Sequence, residues 1–382
     1  MKKAKLRKMF GILARLTETA YRQVRRGFGI ANVQNLYYCV PGKDWSTDWD
    51  GFYITRGIRE QVGWKAQTTS APHFLTDHIL HYGEAGTFLR RLDGGWNRRN
   101  VILATIFHGD LNQDYPQLAK MTQKFLDHSS ILKRILVTCQ VMEDRLLGWG
   151  VEPNKVVRIP LGVDTTHFKP PSQEQRLSLR QKFGIPSDAV CVGSFQKDGV
   201  GWNEGLEPKL IKGPDVFLQV IEKLNREMNL FVLLTGPARG YVKKGLDQMA
   251  VPYYHEVLPN YLNIIDFYAC LDLYLVTSRE EGGPKAILES MATGVPIIST
   301  QVGLAPEVIC QGKNGLLADI NDVDTLVDLA FRIVGDKMLQ KFLVANARKD
   351  ILDFDWGKIA RQYYDQLYKP VLNADEDQSV TK

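Results

Sequence analysis

From about residue 35 onward, short apolar runs alternate with stretches of helical periodicity, a pattern that builds parallel α/β layers. The candidate strands are Leu36–Val40, Val101–Phe107, Arg134–Thr138, Lys155–Ile159, Val190–Val192, Leu230–Leu234, Leu271–Val276 and Pro296–Ser299. Helical spacing marks Ser129–Ile131, Pro214–Leu224 and Thr325–Val334. In a parallel sheet of this kind, ligands meet the loops at the carboxyl ends of the strands.

A length of 382 residues exceeds one ordinary core and suits two domains of roughly 150 to 200 residues each. Three prolines and a glycine interrupt the pattern in Ile159-Pro-Leu-Gly-Val-Asp-Thr-Thr-His-Phe-Lys-Pro-Pro171, which reads as a linker. The expected division is a first Rossmann-like domain over residues 27–165, a second over 166–355, and a final helix over 356–372. That helix carries Trp356, Ile359, Ala360, Tyr363, Tyr364 and Leu367 on one aromatic face. The polar, acidic tail 373–382 reads as disordered.

Charge is uneven. Residues 1–26 hold nine Lys/Arg against the single acid Glu18, a net of +8 in a chain whose total is +5, so the remainder carries −3. That balance argues against a nucleic-acid-binding body. Within the same segment Leu6, Met9, Phe10, Leu13 and Leu16 share one helical face, and the other face is cationic. Such a helix suits an anionic membrane surface, or else docks on its own domain. Arg15 interrupts the apolar stretch and no small-residue cleavage site follows, so the start differs from a secretory signal. No run approaches the roughly 18 to 20 apolar residues of a membrane span. Five widely spaced cysteines form neither a metal cluster nor a disulfide framework and fit a reducing compartment.

The chemistry is most legible from Leu271 to Gly294. Leu271-Asp-Leu-Tyr-Leu-Val276 reads as a strand, Thr-Ser-Arg-Glu-Glu-Gly-Gly283 as a glycine loop, and Pro284 as the opening of a helix that Gly294 stops. Amides around Gly282, Gly283, Lys285 and Ala286, with the positive end of the helix dipole, make an anion site that we assign to a nucleotide diphosphate. Glu289, two turns into the helix, suits the two hydroxyls of a ribose, and Glu281 faces the sugar beyond the phosphates. Each glutamate alone also fits a structural role: an acid beside a helix start is favoured by the dipole, and Lys285 with Glu289 has the spacing of a surface pair. The whole arrangement is what points to nucleotide binding.

Glu281-x7-Glu289, followed by Ala292-x-Gly294-Val-Pro296 and Gly312-Lys-Asn-Gly315-Leu-Leu, resembles the donor-binding signature of family 4 retaining glycosyltransferases. The resemblance extends to Ile159-Pro-Leu-Gly-Val-Asp164-x3-Phe168-x-Pro170, Lys212-Gly213-Pro-Asp215 and Leu234-Thr-Gly236-Pro237, and covers most of residues 155–370. It implies the GT-B fold, an α/β class in which two Rossmann-like domains, an acceptor domain and a donor domain, face a cleft and a C-terminal helix returns to the first. It also implies that Lys212 and an upstream basic residue clamp the donor diphosphate. The family's arginine after the first strand of this domain is absent, because the chain reads Val192-Gly-Ser-Phe-Gln-Lys197; Lys197 and Arg239 are the two candidates to replace it.

The resemblance further assigns His108, followed by Gly109, to the family's cleft histidine. The family's glycine loop after the first strand is reduced here to Cys39-Val-Pro-Gly42-Lys-Asp-Trp. The implied catalytic set is Glu281, Lys212 and His108. The implied reaction is transfer with retention: the acceptor hydroxyl attacks on the face the diphosphate leaves, and a donor phosphate oxygen takes its proton.

The expected function is therefore transfer from a UDP- or GDP-type nucleotide sugar to a glycan or lipid-linked acceptor, in cell-surface polysaccharide or glycolipid synthesis. No metal or resident cofactor is expected, and the expected location is cytoplasmic, at the inner membrane face if residues 1–26 bind lipid. Acceptor choice is expected within residues 42–100, rich in Trp45, Trp49, Trp64, His73, His78, His81, Tyr82 and Trp96. The alternative is a non-catalytic nucleotide-sugar-binding or regulatory protein of the same fold. A glycosidase carboxylate pair fits poorly with a phosphate-type loop between the two acids. A nicotinamide dehydrogenase fails because no Gly-x-Gly-x-x-Gly follows the first strand of either domain.

Overall fold

Two sheets, each of six parallel strands, organise the chain. The structure is a computed structural model and describes residues 34–42, 46–92 and 99–372. The basic segment 1–26, Trp45, Trp96 and the tail 373–382 lie outside the described residues. The chain separates into two units. One gathers the residues up to Val137, Met142–Ile159 and the segment from Gly357; the other comprises Thr138–Val141 and Pro160–Trp356.

In the first unit the strands are β1 (Leu36–Cys39), β2 (Ala66–Thr69), β3 (Ile79–Tyr82), β4 (Val101–Thr105), β5 (Arg134–Val137) and β6 (Val156–Arg158), in spatial order β2-β1-β3-β4-β5-β6. In the second they are β7 (Val190–Ser194), β8 (Leu230–Thr235), β9 (Tyr253–Glu256), β10 (Leu273–Val276), β11 (Ile297–Thr300) and β12 (Leu316–Ala318), in order β12-β11-β10-β7-β8-β9. β8, β10 and β11 are buried along their whole length, as strands of a parallel sheet covered on both faces must be. The core of the second unit joins these strands to Val216, Phe217, Val220, Ile221 and Leu224 of helix Pro214–Asn225 and to Leu326, Ala330 and Ile333 of helix Val323–Gly335.

The α/β expectation holds, and the eight predicted runs all contain strands. Four strands had no clear apolar run: β2 and β9 are partly exposed edge strands, β12 has three residues, and β3 carries a histidine in its middle. His81 is nevertheless fully buried, with Nδ1 2.6 Å from Tyr368 Oη and Nε2 2.9 Å from Thr105 Oγ1. Burial pushes its pKa down to about 3, so a neutral imidazole joins the core.

Ser129–Ile131 is a three-residue 3₁₀ turn, too short to make the predicted helix. The final helix begins regularly at Trp356 and widens into a π turn over Tyr363–Tyr368, closed by Lys369 N–H donating to Tyr364 O. Leu367 and Tyr368 of this turn are both buried, and the Tyr368 hydroxyl reaches His81. In the region expected to select acceptors His78, His81 and Tyr82 are buried, whereas Trp49, Trp64 and His73 are half-buried; Trp64 donates to Gln34 O at 2.8 Å while its ring packs on Tyr364 and Tyr368.

Of the segment 159–171, the residues from Pro160 onward belong to the second unit. Val163 N donates to Phe354 O at 2.9 Å and Trp356 N to Val163 O at 3.1 Å, while a Cβ on Gly162 would lie 2.5 Å from the Trp356 ring.

Candidate active site

The order of the second sheet reverses between β7 and β10. Connections from these two neighbours run to opposite sides, so their carboxyl ends bound the crevice where ligands of open parallel sheets bind. The loops from Ser194 and from Thr277 open there, and most of the predicted site residues lie on or beside them.

The loop after β10 holds the turn Leu210–Lys212 by backbone and side chain alike. Arg279 N and Glu280 N donate to Ile211 O at 2.9 and 3.0 Å, and Thr277 Oγ1 donates to Gly213 O at 2.9 Å. The Arg279 guanidinium grips both carboxylate oxygens of Asp215 at 2.7 and 2.6 Å. Burial opposes ionisation of Asp215, yet the Arg279 hydrogen bonds and charge hold its carboxyl below the ordinary value. Gly213 makes the close approach possible: its φ is +60°, and a Cβ there would sit 1.9 Å from Thr277 O.

This docking brings Lys212 against Glu281 as a largely buried ion pair. Ser278 Oγ stands 3.1 Å from both Glu281 Oε1 and Gln196 Oε1, and Gln196 Nε2 donates to Lys212 O at 2.8 Å. Loops from β7 and β10 are thereby knitted around one cation and one carboxylate. Neither Gln196 nor Arg279 was singled out in the sequence, where each reads as an ordinary loop residue.

Beyond Glu281, helix Lys285–Thr293 starts one residue later than expected: Pro284 is its N-cap, extended at ψ 101°, and the helix ends on left-handed Gly294. Among the described residues the amides of Gly282 and Gly283 have no acceptor, which leaves them available to an anion together with the first amides of the helix. Gly283 is also close-packed, since a Cβ would meet Leu304 at 2.7 Å and Leu161 at 2.9 Å.

Glu289 is buried within this helix and accepts hydrogen bonds from the hydroxyls of Tyr261 and Tyr268, the latter at 2.8 Å. Burial and the Glu289 charge raise the Tyr268 phenol well above its usual value, so it remains a donor. A carboxylate offers about four acceptor positions, and the tyrosines take two. Lys285 Nζ lies 5.4 Å from the centroid of the Tyr261 ring. The tyrosines were missed because, in Asn260-Tyr-Leu-Asn-Ile-Ile-Asp-Phe-Tyr268, they look like core aromatics.

The two candidates for the missing arginine are placed differently. Arg239 is fully buried: it pairs with Asp198 at 3.0 Å and donates to Ser194 O and Thr235 O at 2.7 and 2.9 Å. A guanidinium so enclosed braces the ends of β7 and β8. Lys197 lies on the surface of the site, its ammonium 3.8 Å from the centroid of the Trp202 ring. A further lysine that the sequence gave no reason to select, Lys209, is half-buried near Lys212, Lys197 and Glu281.

His108 and Gly109 belong to the first unit. β4 ends at Thr105, so His108 stands three residues past the strand and does not close it. Gly109 O accepts from Arg145 at 2.7 Å, and Thr122 Oγ1 would be 2.9 Å from a Cβ at this glycine.

Comparison with known proteins bears on this geometry. Residues 206–350 match the family model for glycosyl transferases group 1. An N-acetyl-alpha-D-glucosaminyl L-malate synthase of Bacillus anthracis is 34% identical over 238 residues, which are 60% of this chain and 58% of that protein. A putative colanic acid biosynthesis glycosyltransferase WcaL of Salmonella typhimurium is 25% identical over 341 residues, 85% of this chain and 79% of that one. Two further curated relatives are matched over only 54% and 56% of their length, so the chain spans little more than half of several relatives. Among solved structures, Anabaena HepE in complex with UDP-glucose superposes with a TM-score of 0.69 at 16% identity, covering 88% of this chain and 100% of that one. Residues 206–350 thus carry the match to glycosyl transferases group 1, on a chain with the GT-B fold.

Proposed function

We propose that this protein is a retaining glycosyltransferase that moves a sugar from a nucleotide diphosphate donor to a glycan or lipid-linked acceptor, in the synthesis of cell-surface polysaccharide or glycolipid. The observation that carries the reading is the Lys212–Glu281 pair, set where the sheet order reverses and directly before the helix start at Pro284–Lys285. The fold shared with a protein crystallised with UDP-glucose and the relationship to a colanic acid glycosyltransferase support it.

In this reading the amides of Gly282, Gly283 and Ala286 cradle the diphosphate, and Lys212 offsets the charge that grows on the leaving phosphate. Glu281 orients Lys212 and faces the transferring sugar. Glu289 receives the ribose hydroxyls through the acceptor positions its two tyrosines leave open. The acceptor hydroxyl attacks the anomeric carbon on the face the diphosphate vacates, and its proton passes to a phosphate oxygen of the departing group. Lysines and a helix dipole supply the positive charge, so no metal is required. By the family resemblance His108 and Gly109 serve the transferring sugar, and residues 1–26 hold the protein to the inner face of an anionic membrane. Among the described residues no helix is long and apolar enough to cross one.

One observation favours a non-catalytic nucleotide-sugar-binding protein instead: Ser194 ends β7 where the resembling enzymes carry a Gly-Arg pair. Incubating the full chain with UDP-, GDP- and ADP-sugars and an acceptor panel decides between the two. Transfer with the donor's anomeric configuration kept, read by NMR, supports the enzyme; binding without transfer or hydrolysis supports the alternative.

A further inference from the structure

The stretch between β7 and the turn Leu210–Lys212 is a built element. Val200 N donates to Glu207 O at 2.9 Å and Lys209 N to Asp198 O at 2.7 Å, with Gly199 and Pro208 bridged antiparallel between them. Residues 198–209 therefore form a hairpin. Its base is fastened to the domain interior by the buried Asp198–Arg239 ion pair. Its tip is fastened to helix Gly240–Gln248, whose first amides, Gly240 and Tyr241, donate to Glu204 O and Gly205 O at 2.7 and 2.9 Å. Gly199 and Gly205 let the hairpin lie against Ala238, whose carbonyl oxygen would be 2.3 and 2.4 Å from a Cβ at these positions.

The hairpin fixes where three lysines stand. Pairing with Asp198 puts Lys209 beside Lys197 across the strands, and Lys212 N donates to Lys209 O at 2.8 Å, one 3₁₀ turn away. Among the described residues the carboxylate that acts on Lys209 is Glu281, which Lys212 already occupies. Among the described residues nothing accepts a hydrogen bond from the Lys209 ammonium. Burial, followed by the charges of Lys212 and Lys197, lowers its pKa to about 8, against the opposing pull of Glu281. Lys209, with Lys212 and Lys197 acting on it and a carboxylate that Lys212 already occupies, is unfavourably placed unless an anion joins it, and the hairpin pairing fixes its backbone there.

We propose that Lys209 is a third cation of the donor diphosphate site, delivered to it by the braced hairpin Asp198–Lys209. The inference rests on the donor reading above and adds to it a residue and a consequence: binding the diphosphate draws a proton onto Lys209. At about pH 8.5 most Lys209 side chains are neutral in the free protein, so the uptake is measurable there.

The test is calorimetric titration of the full chain with UDP, GDP and ADP near pH 8.5, in two buffers of different ionisation enthalpy. The tightest of the three is expected to bind with net proton uptake. Lys209→Met should weaken it roughly ten- to a hundred-fold and abolish the uptake. Lys209→Arg should keep the affinity but lose the uptake, because a guanidinium stays charged. Without ligand the Met variant should melt no lower than the parent, since it relieves repulsion; a lower melting point would make the charge a structural requirement and overturn the proposal. Parent-like affinity and uptake in Lys209→Met would overturn it while leaving the donor reading intact. Absence of binding by the parent to all three nucleotides would bring down the donor reading and this inference together.

Discussion

Lys212 and Glu281, 69 residues apart in sequence, form an ion pair whose side chains keep only 14% and 10% of their exposure. A pair so withdrawn from water is costly unless its geometry is held, and the Arg279–Asp215 fork together with Gly213 holds it. Glu281→Gln or Lys212→Ala is expected to raise the barrier to sugar transfer by about 2 kcal/mol or more, roughly a thirty-fold loss of kcat/KM. Steady-state kinetics on variants shown to unfold cooperatively would check this; near-normal turnover in both would remove these residues from the chemistry.

Glu289 depends on Tyr268 and Tyr261 for its orientation. Tyr268→Phe removes one donor from the carboxylate and is expected to raise KM for the nucleotide sugar about ten-fold with little change in kcat. Discrimination between a ribonucleotide donor and its 2′-deoxy analogue should shrink in the same variant. If KM and discrimination both match the parent, the tyrosines serve only the core.

Asp198 and Arg239 brace the hairpin from inside. Arg239→Met leaves Asp198 buried without its cation and is expected to cost about 3 kcal/mol of unfolding free energy. Burial already raises the Asp198 carboxyl in spite of Arg239, so the variant is expected to bind a proton there. Urea denaturation at pH 7 measures the loss, and a change below about 0.5 kcal/mol, within the range of ordinary surface substitutions, would show the brace to be dispensable.

His81 makes stability depend on acid. Its folded pKa of about 3 lies below the ordinary value of 6.5, so between these the unfolded chain binds the extra proton and folding weakens as pH falls. Its contribution is a loss approaching 1.4 kcal/mol per pH unit below about pH 6. Melting curves from pH 7 to 4 should fall less steeply for His81→Gln than for the parent, after allowing for the lost bonds to Tyr368 and Thr105. Parallel slopes would mean that His81 titrates normally.

The candidate donor site was legible because strand, glycine loop and helix stop are local signals. Pro284, Gly294 and Glu281-x7-Glu289 lie within 14 residues and declare their backbone roles by residue type. What stayed hidden depends on contacts between distant segments. Arg239 was a candidate in sequence and Lys209 was not, yet Asp198 draws Arg239 into the interior, and the hairpin sets Lys209 near Lys212 and Glu281. β3 was invisible for a related reason: Tyr368, nearly three hundred residues away, supplies the partner that lets His81 enter the sheet. In the same way, burial of His78, His81 and Tyr82 within 42–100 rests on contacts the sequence does not display.

Donor binding by the second unit is tested most directly by a thermal-shift screen of UDP-, GDP- and ADP-sugars against the parent chain and Lys212→Ala. At 100 times its dissociation constant a bound donor stabilises the fold by about 2.7 kcal/mol, a rise of several degrees. One nucleotide sugar is predicted to raise the melting temperature of the parent and to lose most of that effect in Lys212→Ala. No shift with any donor, or an equal shift in parent and variant, would contradict the site described here.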